Sequence, residues 1–315
     1  MTPKRTIAVV GATGSQGGGL VRAILDDGGE FTVRALTRNP GSPKGAALSE
    51  AGAEVVAADL DDEASLDRAF DGVHGAFVVT NYWAPLAPDA GISRAERELA
   101  QAAAAARALE RTGVEHVVWS TLEDTRGHFA DDAAVPDVEG YKVPHFDAKA
   151  EADAFFAGLP VTYLRTTLFF ENFVDSFPPR RGDDGALTLA LPIADQPLAG
   201  IAVDDIGRSA LGVFARGDAL VGKTVSIAGD ILTGDGYAAA LSDALGEPVT
   251  YVPVPFDRFR AQGFPSAVEM GNMFQYYAEN SAQFTADRDL DRVRELNPRL
   301  QSFREWLANR QKSPA

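Results

Sequence analysis

The chain has 315 residues, a hydrophobic fraction of 45% and a formal net charge of −16, which is enough apolar material to bury a large core in one big domain or two intimate ones. That acidity argues against a general nucleic-acid or anionic-membrane surface, since both need a basic face to neutralise phosphate; it fits a soluble protein that holds any anionic ligand locally. Cysteine is absent and the 4 histidines, His74, His116, His128 and His145, show no paired ligand spacing, so disulfides, thiolate chemistry and metal centres are not expected.

The N-terminal stretch "MTPKRTIAVVG" enters an apolar run at once, and no window approaches the roughly 18 consecutive apolar residues of a membrane span. A cytoplasmic protein without a signal peptide is expected. The first strand-like run, "TIAVVG", leads into "GATGSQGG" and then a helical pattern. Gly11, Gly14 and Gly17 stand in a G-x-x-G-x-x-G spacing, which differs from the commoner G-x-G-x-x-G fingerprint but answers to the same physics. Gly11 permits a tight turn, Gly14 lets the backbone approach a pyrophosphate, and Gly17 lets the helix pack close to the strand. The helix N-terminal N–H groups then face the anion.

The second run, "FTVRALT", ends in "TRNP". An NAD-binding chain offers an acid there, about 20 residues beyond the last loop glycine, to the ribose 2′-hydroxyl. Here stand Thr37 and Arg38, and a guanidinium suits the 2′-phosphate of NADP. NADP is therefore expected to be preferred over NAD, by about ten- to a hundredfold for one charge-assisted hydrogen bond, with Arg34 or Lys44 available as helpers. The third run, "AEVVAADL", puts Asp59 and Leu60 where an adenine edge would lie. The fourth, "GAFVVT", puts Thr80, Asn81 and Tyr82 near a nicotinamide ribose. Both positions are carboxyl ends of strands, where open parallel sheets bind ligands; capping or turn roles compete for Asp59 and Asn81.

Beyond these, "ERELAQAAAAARALERTG" reads as a helix stopped at Gly113, "HVVWST" as a strand, "DAKAEADAFFAGLP" as a helix closed by Gly158 and Pro160, and "PVTYLR" as a strand. Such alternation predicts an α/β protein with a Rossmann-type doubly wound parallel sheet. After about residue 166 the pattern loosens into a smaller, interleaved C-terminal α/β region. The expected division is 1–165 for the nucleotide domain, with 200–230 returning to it, and 166–199 with 231–315 for a substrate or partner region. In "VDDIGRSALGVFA", Asp204 and Asp205 are expected to cap a helix.

These residues together resemble the NmrA-like family, atypical members of the short-chain dehydrogenase/reductase superfamily, most closely its HSCARG-type NADP(H) sensors. The likeness runs along nearly the whole chain, in "GATGSQGG", "TRNP", "VTNYW", "HFDAKAE", "LFFENF" and "GFPSAVEMGNMFQYYAEN". The resemblance implies a Rossmann-type NAD(P) domain, a smaller C-terminal domain and a cleft between them. It implies nucleotide contacts from the loop Gly11, Thr13, Gly14, Ser15 and Gln16, from Arg38, Asn81, Tyr82 and Lys149, and from Phe169, Phe170, Glu171 and Asn172. Arg94 matches a basic residue that helps hold the nucleotide, across a loop of different length.

Active short-chain reductases use a Tyr-x-x-x-Lys pair, the lysine holding the nicotinamide ribose and the tyrosine acting as acid. In this chain the corresponding run is "HFDAK": His145 stands at the tyrosine position and Lys149 is retained. Ser120 or Thr121 is available to polarise a carbonyl. Losing a positioned acid costs about 10² to 10⁴ in rate, which favours a binding protein over a standard reductase. Histidine as a residue type can donate a proton, and Tyr141 is expected one helical turn before His145, so catalytic roles for Lys149, His145 and Thr121 stay open. The aromatic segments "TLFFENFVDSF" and "GNMFQYYAEN" are candidates to line the cleft.

The expectation is an NADP(H)-binding redox-sensing regulator, monomer or homodimer, with a protein partner such as a transcription regulator and no direct contact with nucleic acid or membrane. The alternative is an NADPH-dependent reductase of a small-molecule quinone, imine or activated carbonyl.

Overall fold

The structure, a computed structural model, describes residues 3–87, 89–130 and 132–312. Apolar β-branched runs form strands and Ala- and Leu-rich runs form helices, in alternation. The order is β1 (Arg5–Val9), α1 (Ser15–Asp27), β2 (Phe31–Thr37), α2 (Pro43–Glu50), β3 (Glu54–Ala57), α3 (Glu63–Phe70), β4 (Gly75–Val78), α4 (Arg94–Thr112), β5 (His116–Thr121), α5 (Pro144–Phe156) and β6 (Val161–Arg165). Short elements follow: β7 (Leu168–Phe169), α6 (Asn172–Asp175), β8 (Arg180–Arg181), β9 (Leu187–Leu191) and β10 (Leu198–Ile201). Then come α7 (Val203–Arg216), β11 (Thr224–Ser226), β12 (Asp230–Leu232), α8 (Gly234–Leu245), β13 (Val249–Pro253), α9 (Phe256–Arg260), α10 (Ala267–Glu279), α11 (Ser281–Ala286), α12 (Leu290–Leu296) and α13 (Phe303–Lys312).

Two compact units result. The first comprises Met1–Asp124, His145–Arg165 and Ile206–Val225. Its seven-stranded sheet runs β11-β6-β5-β4-β1-β2-β3. Ile7 on β1 lies opposite Val33 on β2 and Gly75 on β4, both in parallel register, and β2–β3, β4–β5 and β5–β6 are also parallel. Strand order reverses at β1, so the carboxyl ends of β1 and β4 flank the switch point at which such sheets bind ligands. This is the Rossmann-type α/β fold that the sequence predicts. β4 and β5 are buried along their whole length, which is why they read as unbroken apolar runs.

Helix α4 shows how the local sequence fixes an element. Ser93 and Glu96 form a reciprocal capping box, and Gly113 closes the helix in the left-handed conformation. Its Ala102, Ala105 and Leu109 join Val78, Val117, Trp119 and Phe156 in one core cluster.

The second unit comprises Thr125–Pro144, Thr166–Asp205 and Ser226–Ala315. It carries two three-stranded sheets, β12-β10-β7 and β13-β9-β8. Its core is aromatic: Phe173 stacks on Tyr237 at 4.2 Å, and Phe303 meets Phe170 at 5.0 Å. The expected capping role of Asp204 and Asp205 is corrected here, because both lie inside the first turn of α7. Asp205 is fully buried and accepts hydrogen bonds from Asn297 Nδ2 (2.6 Å) and the Gln301 backbone N–H (3.2 Å), anchoring the C-terminal segment. The backbone N–H of Val203 is instead met by the Glu171 carboxylate at 3.2 Å.

Candidate functional site

The turn after β1 is built as its glycines predict. Gly11 has φ +66°, a left-handed conformation that favours glycine, and accepts the Gly14 N–H at 2.8 Å. A Cβ on Gly17 would lie 2.5 Å from the Gly11 carbonyl oxygen and 2.7 Å from that of Val10, so the first turn of α1 sits directly on the strand end. Gly14 caps α1 without a side-chain bond, leaving the first helical N–H groups without an internal acceptor. Gly11, Gly14 and Ser15 are exposed, Thr13 and Gln16 half-buried. Gln16 Oε1 accepts from Ser120 Oγ at 2.8 Å, tying the turn to the end of β5. The last glycine of the run serves packing: a Cβ on Gly207 of α7 would fall 2.1 Å from the Gly19 carbonyl carbon.

Arg38 is exposed just past β2 and has no ion-pair partner among the described residues; Lys44, in the first turn of α2, is likewise exposed and unpaired. Arg34 is engaged by other partners: its Nε donates to Glu54 (2.9 Å) and its Nη1 to the carbonyls of Ala69 (3.1 Å) and Asp71 (2.8 Å). The half-buried Asp59 accepts the Asp61 backbone N–H at 3.1 Å, the turn role, and Leu60 packs against the core cluster.

Beyond β4 the structure brings α4, α5 and the strand end together. Lys149, 7% exposed, places Nζ 2.7 Å from Glu98 Oε1 and 2.7 Å from Thr80 Oγ1. Thr80 in turn donates to Glu98, which is 1% exposed. The ammonium also lies 5.1 Å from the centre of the Trp119 ring. Glu98 is the residue that sequence reasoning missed. Its signal is positional: an acid on the same helical stripe as the buried Ala102, Ala105 and Leu109.

His145 precedes Lys149 by one turn on the same face of α5 and is 6% exposed, its ring 5.8 Å from Tyr82, 4.9 Å from Trp83 and 5.0 Å from Phe146. Asn81 is exposed and Tyr82 buried. The Arg94 guanidinium covers Tyr82 at 4.6 Å. Tyr141 is not on this helix: α5 begins at Pro144, and Tyr141 pairs in an isolated bridge with Val138. The alternation of β5 separates the two hydroxyls after "HVVW". Ser120 meets the glycine turn, whereas the fully buried Thr121 donates to the Leu122 carbonyl at 3.4 Å; Asp153, which accepts from Trp119 Nε1 at 2.8 Å, has its carboxyl pushed up by burial.

In the second unit, Phe170 is fully buried against Phe303 and Trp306 (5.8 Å), so its side chain belongs to the core. The Glu171 carboxyl, raised by burial, covers the N-terminus of α7. Phe169 ends β7 half-buried, and Asn172 opens α6, its Oδ1 accepting from Ser176 Oγ at 3.3 Å. In "GNMFQYYAEN", Phe274, Tyr276 and Tyr277 are buried on α10 and Asn272 donates to the carbonyls of Pro136 (2.9 Å) and Lys142 (2.6 Å); these residues hold the unit together. No cluster able to hold a metal ion occurs among the described residues, and none of their helices is long and apolar enough to cross a membrane.

A glycine turn at the switch point of a parallel sheet, with a lysine aimed at the neighbouring strand end, defines a Rossmann-type α/β protein. The chain belongs to the NmrA-like family, whose profile matches residues 3–307. The NmrA-like family domain-containing oxidoreductase notA of Aspergillus sp. (strain MF297-2) is 31% identical over 266 residues, covering 80% of this chain and 76% of the relative. NmrA, a negative transcriptional regulator solved in complex with NADP, superposes with a TM-score of 0.76 at 23% identity, over 97% of this chain and 95% of that one; its complex with NAD gives 0.77 at 22%, with the same coverage. The triphenylmethane reductase of Citrobacter sp., complexed with NADP(H), gives 0.68 at 18% identity, over 97% of this chain and 99% of that one.

Proposed function

We propose that the chain binds NADP(H) at the switch point and acts as an NADP(H)-responsive regulator that changes its association with a protein partner. The observation that carries this reading is His145: at the superfamily's tyrosine position stands an imidazole 6% exposed and packed among three aromatic rings. The tyrosine acid of the superfamily's catalytic pair is thus replaced.

The nucleotide fits the residues present. The Gly11–Gly17 turn allows backbone approach, and the N-terminus of α1 suits a pyrophosphate. Arg38, with Lys44, suits a 2′-phosphate and gives the preference for NADP over NAD. Lys149, braced by Glu98 and Thr80, suits the nicotinamide ribose beside Asn81 and Tyr82. When bound, the nicotinamide would supply or accept a hydride. NmrA, a regulator with the same fold, is solved with NADP, which supports the reading.

A regulator of this kind needs different affinities for the reduced and oxidised forms, because a ligand shifts an equilibrium only by its differential affinity. Calorimetric titration with NADPH and NADP⁺, paired with sedimentation of each complex, is expected to give dissociation constants at least about fivefold apart and a nucleotide-dependent change in association. Equal affinities with unchanged sedimentation would overturn the proposal.

A second reading is favoured by the retained Lys149 and by the oxidoreductase naming of notA: an NADPH-dependent reductase of a quinone, imine or activated carbonyl. Steady NADPH consumption with such an acceptor, abolished in Lys149→Met, would establish it.

A further inference from the structure

We propose that the buried pair of Glu98 and Lys149, through the charge it presents at the end of β4, sets which redox form of the nucleotide the chain prefers; this rests on the nucleotide reading given above. A redox-responsive regulator needs a residue that separates the two forms. Glu98 acts on the nucleotide through Lys149 and is a positioning residue that determines specificity.

The pair is closed and shielded from water. Lys149 Nζ lies 2.7 Å from Glu98 Oε1 and 2.7 Å from Thr80 Oγ1, and Thr80 donates to Glu98. A third contact of the ammonium, to the Thr80 carbonyl, is long at 3.4 Å. Two of the three N–H donors are thus occupied inside the triangle, and the third is left for a ligand. Glu98, Thr80 and Lys149 are all buried, so solvent screens the two charges little. Asp153 also feels Lys149, but burial pushes its carboxyl up, which favours the neutral form, and it faces Arg165 as well. Glu98 is the acid in direct contact with the ammonium.

The oxidised and reduced nucleotides share every phosphate and sugar. They differ by a hydride, which leaves one positive charge on the nicotinamide ring of NADP⁺ and none on that of NADPH. Contacts to phosphate and ribose therefore hold both forms alike, and a charge near the ring separates them. Lys149, suited to the nicotinamide ribose, brings the charge of the pair to that end of the nucleotide. A lone ammonium there repels NADP⁺, a lone carboxylate attracts it, and the intact pair cancels most of both effects.

The test measures dissociation constants of NADP⁺ and NADPH by calorimetry on the folded, full-length protein at neutral pH and fixed salt. The readout is the ratio Kd(NADP⁺)/Kd(NADPH), because lost packing weakens both forms together and leaves that ratio unchanged. Glu98→Gln, which leaves the ammonium unopposed, is expected to raise the ratio about fivefold or more, and Lys149→Met, which leaves the carboxylate, to lower it about as much. Glu98→Asp, which keeps the charge, and Glu98→Gln combined with Lys149→Met, which removes both charges, are expected to stay within about twofold of wild type. A ratio within about twofold of wild type in either single variant, or a shift of the same sign in both, would overturn the inference; with NADPH still bound by wild type, the nucleotide reading would survive. Should one single variant fail to fold, the other, set against the double variant, decides the same question. Wild type that binds neither form would overturn both. Equal affinities in wild type, with the two single variants still moving the ratio in opposite directions, would sustain the pair and overturn the regulator.

Discussion

Arg38 and Lys149 are both cations, but the fold spends them differently. Arg38 is exposed and unpaired among the described residues, so its gain comes from a ligand; Arg38→Ala is expected to weaken NADPH binding about ten- to a hundredfold and leave NADH unchanged, read by parallel calorimetric titrations. Lys149 is buried against Glu98. Removing one partner of such a pair strands a charge, so Glu98→Ala should cost about 3–5 kcal/mol in urea unfolding, much of it recovered by Glu98→Ala combined with Lys149→Met. A loss below about 1 kcal/mol would show that Lys149 is solvated in solution. The expectation for Arg38 comes from its distance to the glycine run alone, and the calorimetric titrations test it. Glu98 was not legible in the sequence, because its partners Thr80 and Lys149 come from other elements and only the packing of α4 on the sheet joins them.

Among the elements, the six parallel strands were legible wherever both faces are buried, as in β5. α4 was legible from Ser93, Glu96 and Gly113. What failed depended on where a helix starts. α5 begins at Pro144, a residue suited to the first helical position, leaving Tyr141 in a bridge with Val138; α7 begins at Val203, placing Asp204 and Asp205 inside, because the distant Glu171 carboxylate meets the Val203 N–H. The glycine run had two meanings in one stretch. Gly17 serves the turn and Gly19 serves the crossing with Gly207. Gly17→Ala is therefore expected to lower stability by about 1–3 kcal/mol and to weaken NADPH binding. Gly207→Ala should lower stability by a similar amount with NADPH affinity, measured on the folded fraction, preserved.

At the scale of the molecule, the doubly wound sheet creates one switch point, and the glycine turn, the end of β4 and the Lys149 face of α5 converge on it within the first unit. The same sheet carries an acid-sensitive member. His116, buried at the start of β5 and hydrogen-bonded to Thr162 at 2.9 Å, has its pKa lowered from 6.5 to about 4, chiefly by burial and then by His74. Its proton is bound more readily by the unfolded chain. Stability is therefore full above about pH 6.5 and falls as pH drops towards about 4, by up to roughly 3 kcal/mol. Thermal unfolding across this window should show the loss, and His116→Gln should flatten it.

The central claim, an NADP(H) site at this switch point, is tested most directly by titrating NADPH and NADH side by side into the full-length protein. Saturable NADPH binding about ten- to a hundredfold tighter than NADH is expected. No NADPH binding, or equal affinity for the two, would contradict it.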